Sequence, residues 1–263
     1  MPIQITFEKT DLESLAYLRH QYIDELPYSQ EYFLEEKVAR GEPSLIYIDK
    51  SRAGYYIEGE AGTLLEFFLS SHFRADAEEI FLAVLEHTRV KQVFCKSFDS
   101  LLLKCCLRAK LPYEPGGVLF RDYSATFATM GNAGALKARQ ATLEDLDALL
   151  PFEDLAEDRE ELERMIRGNN LNLFYLGEEL VGCGYIFHIV ENKNFYDIGM
   201  WVHPEKRGQG HARAIVNFQK RYCLENDLVP VCGCAADNIA SKKVLEKCGF
   251  ISRHDLVTFS TPD

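Results

Sequence analysis

The feature that most constrains this chain is a succession of sequence patterns that occurs twice. In the C-terminal half, Ala135 to Gln140 has the pattern of a short strand, Thr142 opens a capped helix over Leu143 to Leu150, and Asp158 to Arg167 has helical spacing. Strands follow at Leu171 to Leu176, Leu180 to Val190 and Asn194 to Val202, the first two joined across Gly177, Glu178 and Glu179. A helix from about Gln209 to Glu225, a strand Val229 to Cys234, a helix from about Ile239 to Lys247 and a last strand around His254 to Ser260 complete the half. The N-terminal half repeats this order: strand Ile3 to Phe7, helices Asp11 to Glu25 and Gln30 to Ala39, strands Ser44 to Asp49, Ala53 to Glu58 and Thr63 to Ser70, helix Ala75 to His87, strand Gln92 to Lys96. The ends of the halves superpose as VFCKSFDSLLLKCCLRAKL on VCGCAADNIASKKVLEKCGF, which brings Asp99 onto Asp237. Three strands in a meander followed by alternating helices and strands predict an α/β (mixed α+β) fold, a twisted mixed sheet flanked by helices, in two copies. Domains are therefore expected at residues 1–128 and 136–263, with TMGNAGA at 129–135 as a small, flexible linker.

A formal net charge of -12 argues against a grip on nucleic acid or on an anionic membrane surface, both of which require a positive face. It suits a cationic substrate. The longest uncharged apolar run, Leu180 to Val190, falls short of the roughly 20 residues that span a bilayer. Glu8, Lys9 and Asp11 stand where a signal peptide would be apolar, so a cytoplasmic protein is expected. The eight cysteines form no CxxC pair and read as reduced core residues, and no metal site is expected.

The stretch VHPEKRGQGHARA, Val202 to Ala214, joins an apolar strand to an amphipathic helix. A helix N-terminus presents unpaired N–H groups and about half a positive charge, which makes it an anion site. Arg207 adds charge, Gly208 and Gly210 allow close approach to the backbone, and Ala212 keeps the first turn slim. The stretch is built to hold a pyrophosphate. The matching stretch of the N-terminal half, HFRADAEEIF, has no glycine and places Asp76, Glu78 and Glu79 where a pyrophosphate would be repelled, so that half is expected to be catalytically silent. Along the C-terminal helix, Ile215, Val216, Tyr222 and Cys223 read as the buried stripe, Lys220 and Arg221 as the solvated end, and His211 as an outward-pointing loop residue.

Arg207-x-x-Gly210-x-Ala212 after Val202-His203-Pro204, followed by Asn238-x-x-Ser241 and Cys248-Gly249-Phe250, resembles the GNAT superfamily of acetyl-CoA-dependent N-acyltransferases. The resemblance covers residues 135 to 263, whereas the N-terminal half is similar in element order and in its Asp99 helix. The C-terminal half is also similar to the subgroup that includes resistance acetyltransferases of the zwittermicin type. The resemblance implies that the fourth and fifth strands of the C-terminal half splay apart to admit the acyl-pantetheine. Backbone groups near Met200, Trp201 and Val202 would bond the arm and polarise the thioester carbonyl. Arg207, Gly208, Gln209, Gly210, His211 and Ala212 would hold the pyrophosphate of coenzyme A. Asn238 would contact the pantetheine, and Ser241 with Lys242 would lie near the adenosine.

Acyl transfer to an amine requires the nucleophile unprotonated. A carboxylate on the fourth strand is the family's usual base, which here implies Asp197 or its neighbour Tyr196; strand alternation allows only one of them to face the acceptor, and a bulge would decide which. The resemblance also implies a tyrosine acid in the last helix, where this chain has Leu245. The expected partner is a small-molecule amine, in a monomer or homodimer. Two alternatives stay open: an acyl-CoA-binding protein without turnover, and an enzyme acetylating a protein N-terminus or lysine.

Overall fold

Strands in succession satisfy their backbone groups by lying side by side, and both halves of the chain do so in a computed structural model that describes residues 3–125, 136–152, 154–156 and 158–262. The expected linker at 129–135 lies outside the described residues. The first half runs β1 (Ile5–Lys9), α1 (Leu12–Glu25), α2 (Tyr32–Ala39), β2 (Glu42–Ile48), β3 (Ser51–Gly59), β4 (Thr63–Leu69), α3 (Ala77–Thr88), β5 (Gln92–Lys96), α4 (Ser100–Arg108) and β6 (Tyr113–Tyr123). The second runs β7 (Lys137–Gln140), α5 (Leu146–Leu149), α6 (Arg159–Arg167), β8 (Leu171–Leu176), β9 (Glu179–His188), β10 (Phe195–Val202), α7 (His211–Glu225), β11 (Val229–Ala235), α8 (Ile239–Lys247) and β12 (Phe250–Ser260). Asp11, Asp99, Asp158 and Asn238 cap helices α1, α4, α6 and α8, each accepting a hydrogen bond from the N–H three residues on.

Two compact units result, and neither is contiguous in sequence. The first runs to Leu119 and takes in Ala235–Asp237 and the chain from His254 onward; the second comprises Phe120–Cys234 and Asn238–Arg253. Within the first unit the strand order is β1-β2-β3-β4-β5-β12-β6, with β1 to β4 antiparallel neighbours, β4 parallel to β5, and β12 antiparallel to β5 through Leu256 opposite Lys96 and Phe259 opposite Val93. The second unit has the order β7-β8-β9-β10-β11-β6-β12, again with an antiparallel meander and one parallel pair, β10 with β11. Each unit is thus completed by a strand from the other half of the sequence. Strand β6 escapes sequence reading because Pro115, Gly116 and Gly117 put turn residues inside its first half.

In the first unit Ile46, Phe67, Phe81 and Phe259 belong to one core cluster, and Leu18, Tyr55 and Phe68 to another. In the second, Leu149, Leu162, Met165, Leu171, Cys183 and Trp201 form the core between the sheet and α5 and α6. The eight cysteines are free, and all but the half-buried Cys234 are buried.

Three expectations along these elements need correction. Lys220 is fully buried: its Nζ donates to the carbonyls of Cys248 (2.8 Å) and Ser124 (2.5 Å) and lies against the rings of Tyr123 and Phe250. The long lysine stem packs as an apolar chain while the ammonium satisfies two carbonyls, which periodicity cannot distinguish from a solvated end. Tyr222 is 47% exposed, turned out of the stripe completed by Ile215, Val216 and Cys223. Finally, Asp99 corresponds to Asn238 and not to Asp237, since each caps the helix after the parallel strand; one extra residue in the second half shifts the register.

Candidate functional site

In the second unit β10 and β11 pair only from Phe195 opposite Val229 to Asp197 opposite Val231. Beyond that point Ile198–Val202 and the strand from Cys232 onward diverge, leaving between them a gap where backbone groups have no strand partner. The same opening exists in the first unit, where β4 and β5 pair only at Thr63 opposite Gln92 and Leu64 opposite Val93. The splay was expected in the C-terminal half alone.

Which side chains flank the gap follows from the β9–β10 register, which runs without a bulge from Tyr196 opposite His188 to Val202 opposite Gly182. Gly182 and Gly184 face α7, because a β-carbon on either would lie 3.0 Å or less from Ile215 or Gln219. Their cross-strand partners Val202 and Met200 share that face, as does Tyr196, which stacks on His188 at 4.8 Å. Asp197, Gly199 and Trp201 therefore occupy the opposite face, beside Phe187, Tyr185 and Cys183 and towards α5 and α6. Asp197 and Tyr196 are separated by the sheet itself.

The loop beyond β10 is a short turn, Pro204–Lys206, followed by Arg207 in extended conformation, then Gly208 (φ 76°) and Gly210 (φ 89°) in the left-handed region. A β-carbon at either glycine would meet nothing within 4 Å, so backbone conformation and not crowding demands glycine here, and the space above the loop is open. Gly208, Gln209 and Gly210 are exposed, and α7 starts at His211 with the N–H groups of its first turn turned to that space. Ala212 packs towards Val202 and Ile215. His211 is a correction: it is 4% exposed, with neither ring nitrogen hydrogen-bonded. Burial, with Lys206 nearby, lowers its pKa and keeps the ring neutral.

Arg207 does not project freely. Its Nε donates to the Val202 carbonyl (3.0 Å) and its Nη2 to the Asp154 carboxylate, which also receives Trp201 Nε1 (2.6 Å). Burial pushes the Asp154 carboxyl up, but the bonds from Trp201 and Arg207 outweigh it and hold it below its ordinary range. Neither Asp154 nor Tyr185 carried a recognisable sequence signal: Asp154 comes to the site from the turn between α5 and α6, and Tyr185 by its cross-strand position opposite Gly199. Asn238 accepts from the Ser241 N–H (3.0 Å) at the start of α8, which places Ser241 and Lys242 in the first turn of that helix. Leu245 is buried in the core, so α8 offers no hydroxyl at that position.

The first unit contains the same latch: Arg74 Nε donates to the Leu69 carbonyl (2.9 Å) five residues back, and its Nη2 pairs with Glu25. Aligning Arg74 with Arg207 puts Glu66 where the second unit has Gly199. Glu66 is fully buried and bonds Arg19 and the Tyr55 hydroxyl (both 2.9 Å). Arg19 also binds Glu35 (2.8 Å), while Lys96 donates to Tyr22 (2.6 Å) and Gln30 (2.9 Å), and Tyr22 to Asp99 (2.9 Å). The face on which β10 carries Gly199 is filled in this unit by a hydrogen-bonded charge network.

The buried thiols of the second unit give a pH prediction. Burial pushes Cys183 and Cys223 up to about 12 and Cys248 to about 11, from an ordinary value near 9. The unfolded chain ionises first, so their contribution is complete below pH 9 and is lost as pH rises towards 11–12. Urea midpoints are expected to fall between pH 8 and about pH 10.5; a constant midpoint across that range would contradict the burial.

No helix among the described residues is long and apolar enough to cross a membrane, and no three His, Cys, Asp or Glu side chains among them gather as metal ligands would. Two family models match the chain: one described as an acetyltransferase (GNAT) domain over residues 11–123, and one described as the acetyltransferase (GNAT) family over residues 139–250. Among solved structures, an acetyltransferase of the GNAT family from Colwellia psychrerythraea aligns over all of both chains with a TM-score of 0.86 at 19% identity. A tandem GNAT protein from the clavulanic acid biosynthesis pathway covers 99% of this chain and 100% of its own (TM-score 0.67, 14% identity). A GCN5-related N-acetyltransferase from Sphaerobacter thermophilus covers 98% and 95% (TM-score 0.61, 13% identity). At these identities the likeness is one of fold. No curated protein matches the sequence.

Proposed function

Because the chain belongs to the GNAT superfamily, with two such domains in tandem, we propose that its second unit transfers an acetyl group from acetyl-CoA to a primary amine of a small molecule by direct attack, and that its first unit binds no coenzyme. The observation that carries this reading is the gap between β10 and β11 running from Asp197 up to the open glycine loop at the start of α7. An extended, amide-bearing arm fits such a gap because unpaired strand backbone is its natural partner. The N-terminal N–H groups of α7 suit the pyrophosphate.

In this reading the backbone of Met200 to Val202 pairs with the pantetheine, and N–H groups of β10 polarise the thioester carbonyl. Arg207, latched by Asp154, shapes the loop from Gly208 to Ala212 and leaves part of its charge facing the phosphates. Asp197, on the face away from α7, accepts the proton from the attacking amine as the C–N bond forms and the C–S bond breaks. Tyr196 stands on the other face and takes no part. A thiol leaves as thiolate near neutral pH without a dedicated acid, which accommodates Leu245. The net charge of -12 suits a cationic acceptor, and eight free cysteines suit the reducing cytoplasm.

Calorimetric titration of acetyl-CoA into the full-length protein is expected to show one site per chain. Asp197→Asn is expected to leave that affinity intact and to lower kcat about 10²–10⁴-fold in an amine screen. Absence of binding would remove the coenzyme assignment. Binding without turnover against any amine would favour an acyl-CoA-binding protein, and two sites would mean that the first unit is open to coenzyme.

A further inference from the structure

Resting on the acyl-transfer reading above, we propose that Tyr185 limits the size of the acyl group that the second unit accepts.

Gly199 is the residue that reveals this. A β-carbon built there would lie 1.9 Å from Tyr185 Cε2, 2.3 Å from Cζ and 2.5 Å from the hydroxyl oxygen. The phenol end of Tyr185 thus lies across the backbone of β10 at the one position of that strand without a side chain. Tyr185 starts from β9, directly opposite Gly199. The groups that act electrostatically on its hydroxyl are Asp197 on β10, Cys232 on β11 and Glu161 on α6. Those neighbours put the hydroxyl on the α6 side of the sheet, over the closed end of the gap, because Asp197 opposite Val231 is the last β10–β11 pair. Phe187 packs beside the ring with centroids 5.7 Å apart and fixes it from the strand side.

An arm entering from the glycine loop runs down the unpaired length Ile198–Val202, about 16 Å at the usual strand rise. Its acyl end then arrives at Ile198 and Gly199, beneath the ring. Carbons beyond the thioester meet the ring there. A longer chain must displace Tyr185, which is held by the strand backbone below it and by Phe187 beside it. In the first unit the corresponding strand position carries Glu66 instead of glycine, and its carboxylate is consumed by Arg19 and Tyr55. The ring-over-glycine arrangement therefore belongs to the unit with the open loop.

The test uses binding of thioesters in the absence of acceptor, so no turnover is required. Kd values for free coenzyme A, acetyl-CoA, butyryl-CoA and hexanoyl-CoA are measured by calorimetry on the full-length chain and on Tyr185→Phe, Tyr185→Leu and Tyr185→Val. The wild-type protein is expected to bind hexanoyl-CoA at least about tenfold more weakly than acetyl-CoA, the penalty typical of a pocket too short for extra methylenes. Tyr185→Phe keeps the ring and is expected to keep that ratio; Tyr185→Leu and Tyr185→Val are expected to bring it within about twofold or invert it. Equal wild-type affinity for all the thioesters would overturn the proposal, as would an unchanged ratio in Leu and Val variants that still bind free coenzyme A. Wild-type protein that fails to bind free coenzyme A would instead bring down the acyl-transfer reading, and the size limit with it.

Discussion

Deleting residues 254–263 is expected to unfold the first unit, although the cut lies at the opposite end of the sequence from most of it. The segment supplies the strand beside β5, with Leu256 opposite Lys96 and Phe259 opposite Val93. Phe259, 1% exposed, belongs to the core formed with Ile80, Phe81 and Val84, and Leu256 packs with Leu34, Phe98 and Leu119. Losing a buried phenylalanine costs about 3–5 kcal/mol and a buried leucine about 2–5 kcal/mol. Together they rival the roughly 5–15 kcal/mol that holds a typical domain folded. The deletion also strips β5 of a neighbour and exposes a row of unpaired N–H and C=O groups, an invitation to aggregate. Hydrogen exchange along β2 to β5 is the measurement. Loss of protection there is the expected result, and wild-type protection in the shortened chain would show that β12 contributes little. By the same logic a fragment beginning at residue 136 lacks Phe120–Tyr123, the strand next to β11, and is expected to be insoluble or poorly folded.

Glu66→Ala is expected to destabilise the first unit by about 3–5 kcal/mol, the range for removing one member of a buried ion pair. The substitution leaves the Arg19 guanidinium facing Glu35 alone and takes the acceptor from the Tyr55 hydroxyl. Burial pushes the Glu66 carboxyl up, yet the charge and hydrogen bonds of Arg19 outweigh it and hold the carboxyl below its ordinary range. A depressed carboxyl contributes stability above the unfolded value near 4.5 and loses it as pH falls, so the wild-type advantage over the variant is expected to shrink in acid. Urea unfolding of wild type, Glu66→Ala and Glu66→Gln at neutral pH and at about pH 4 reads both effects. A cost below about 1 kcal/mol for the alanine variant would mean that the network is solvated and not buried.

That network changes the explanation for the expected silence of the first unit. HFRADAEEIF, without glycine, already argued that its third helix could not cradle a pyrophosphate. The structure adds that β4 and β5 splay as their counterparts do, while the face above them is packed with Arg19, Glu35, Glu66, Lys96 and Asp99. Apart from Asp99, which the superposition of the two halves singled out, each of these residues reads in sequence as an ordinary surface charge.

The sequence by itself determined what local patterns encode. Period-two apolar runs laid out both meanders, capping residues marked where helices begin, and the two glycines of Arg-Gly-Gln-Gly identified a loop whose backbone takes left-handed conformations at both of them. Each of these signals is carried within a few residues of where it acts. Tertiary structure alone decided which strand completes which unit, since β12 finds β5 across more than 150 residues of chain. It also decided that Lys220 is interior, that Arg207 is latched to Asp154, and that Tyr185 lies over Gly199. Pattern reading assigns a charged or aromatic side chain by its type, whereas burial depends on whether a partner waits at that point in space. Those partners are set by strand pairing and packing between distant segments, which no local period records.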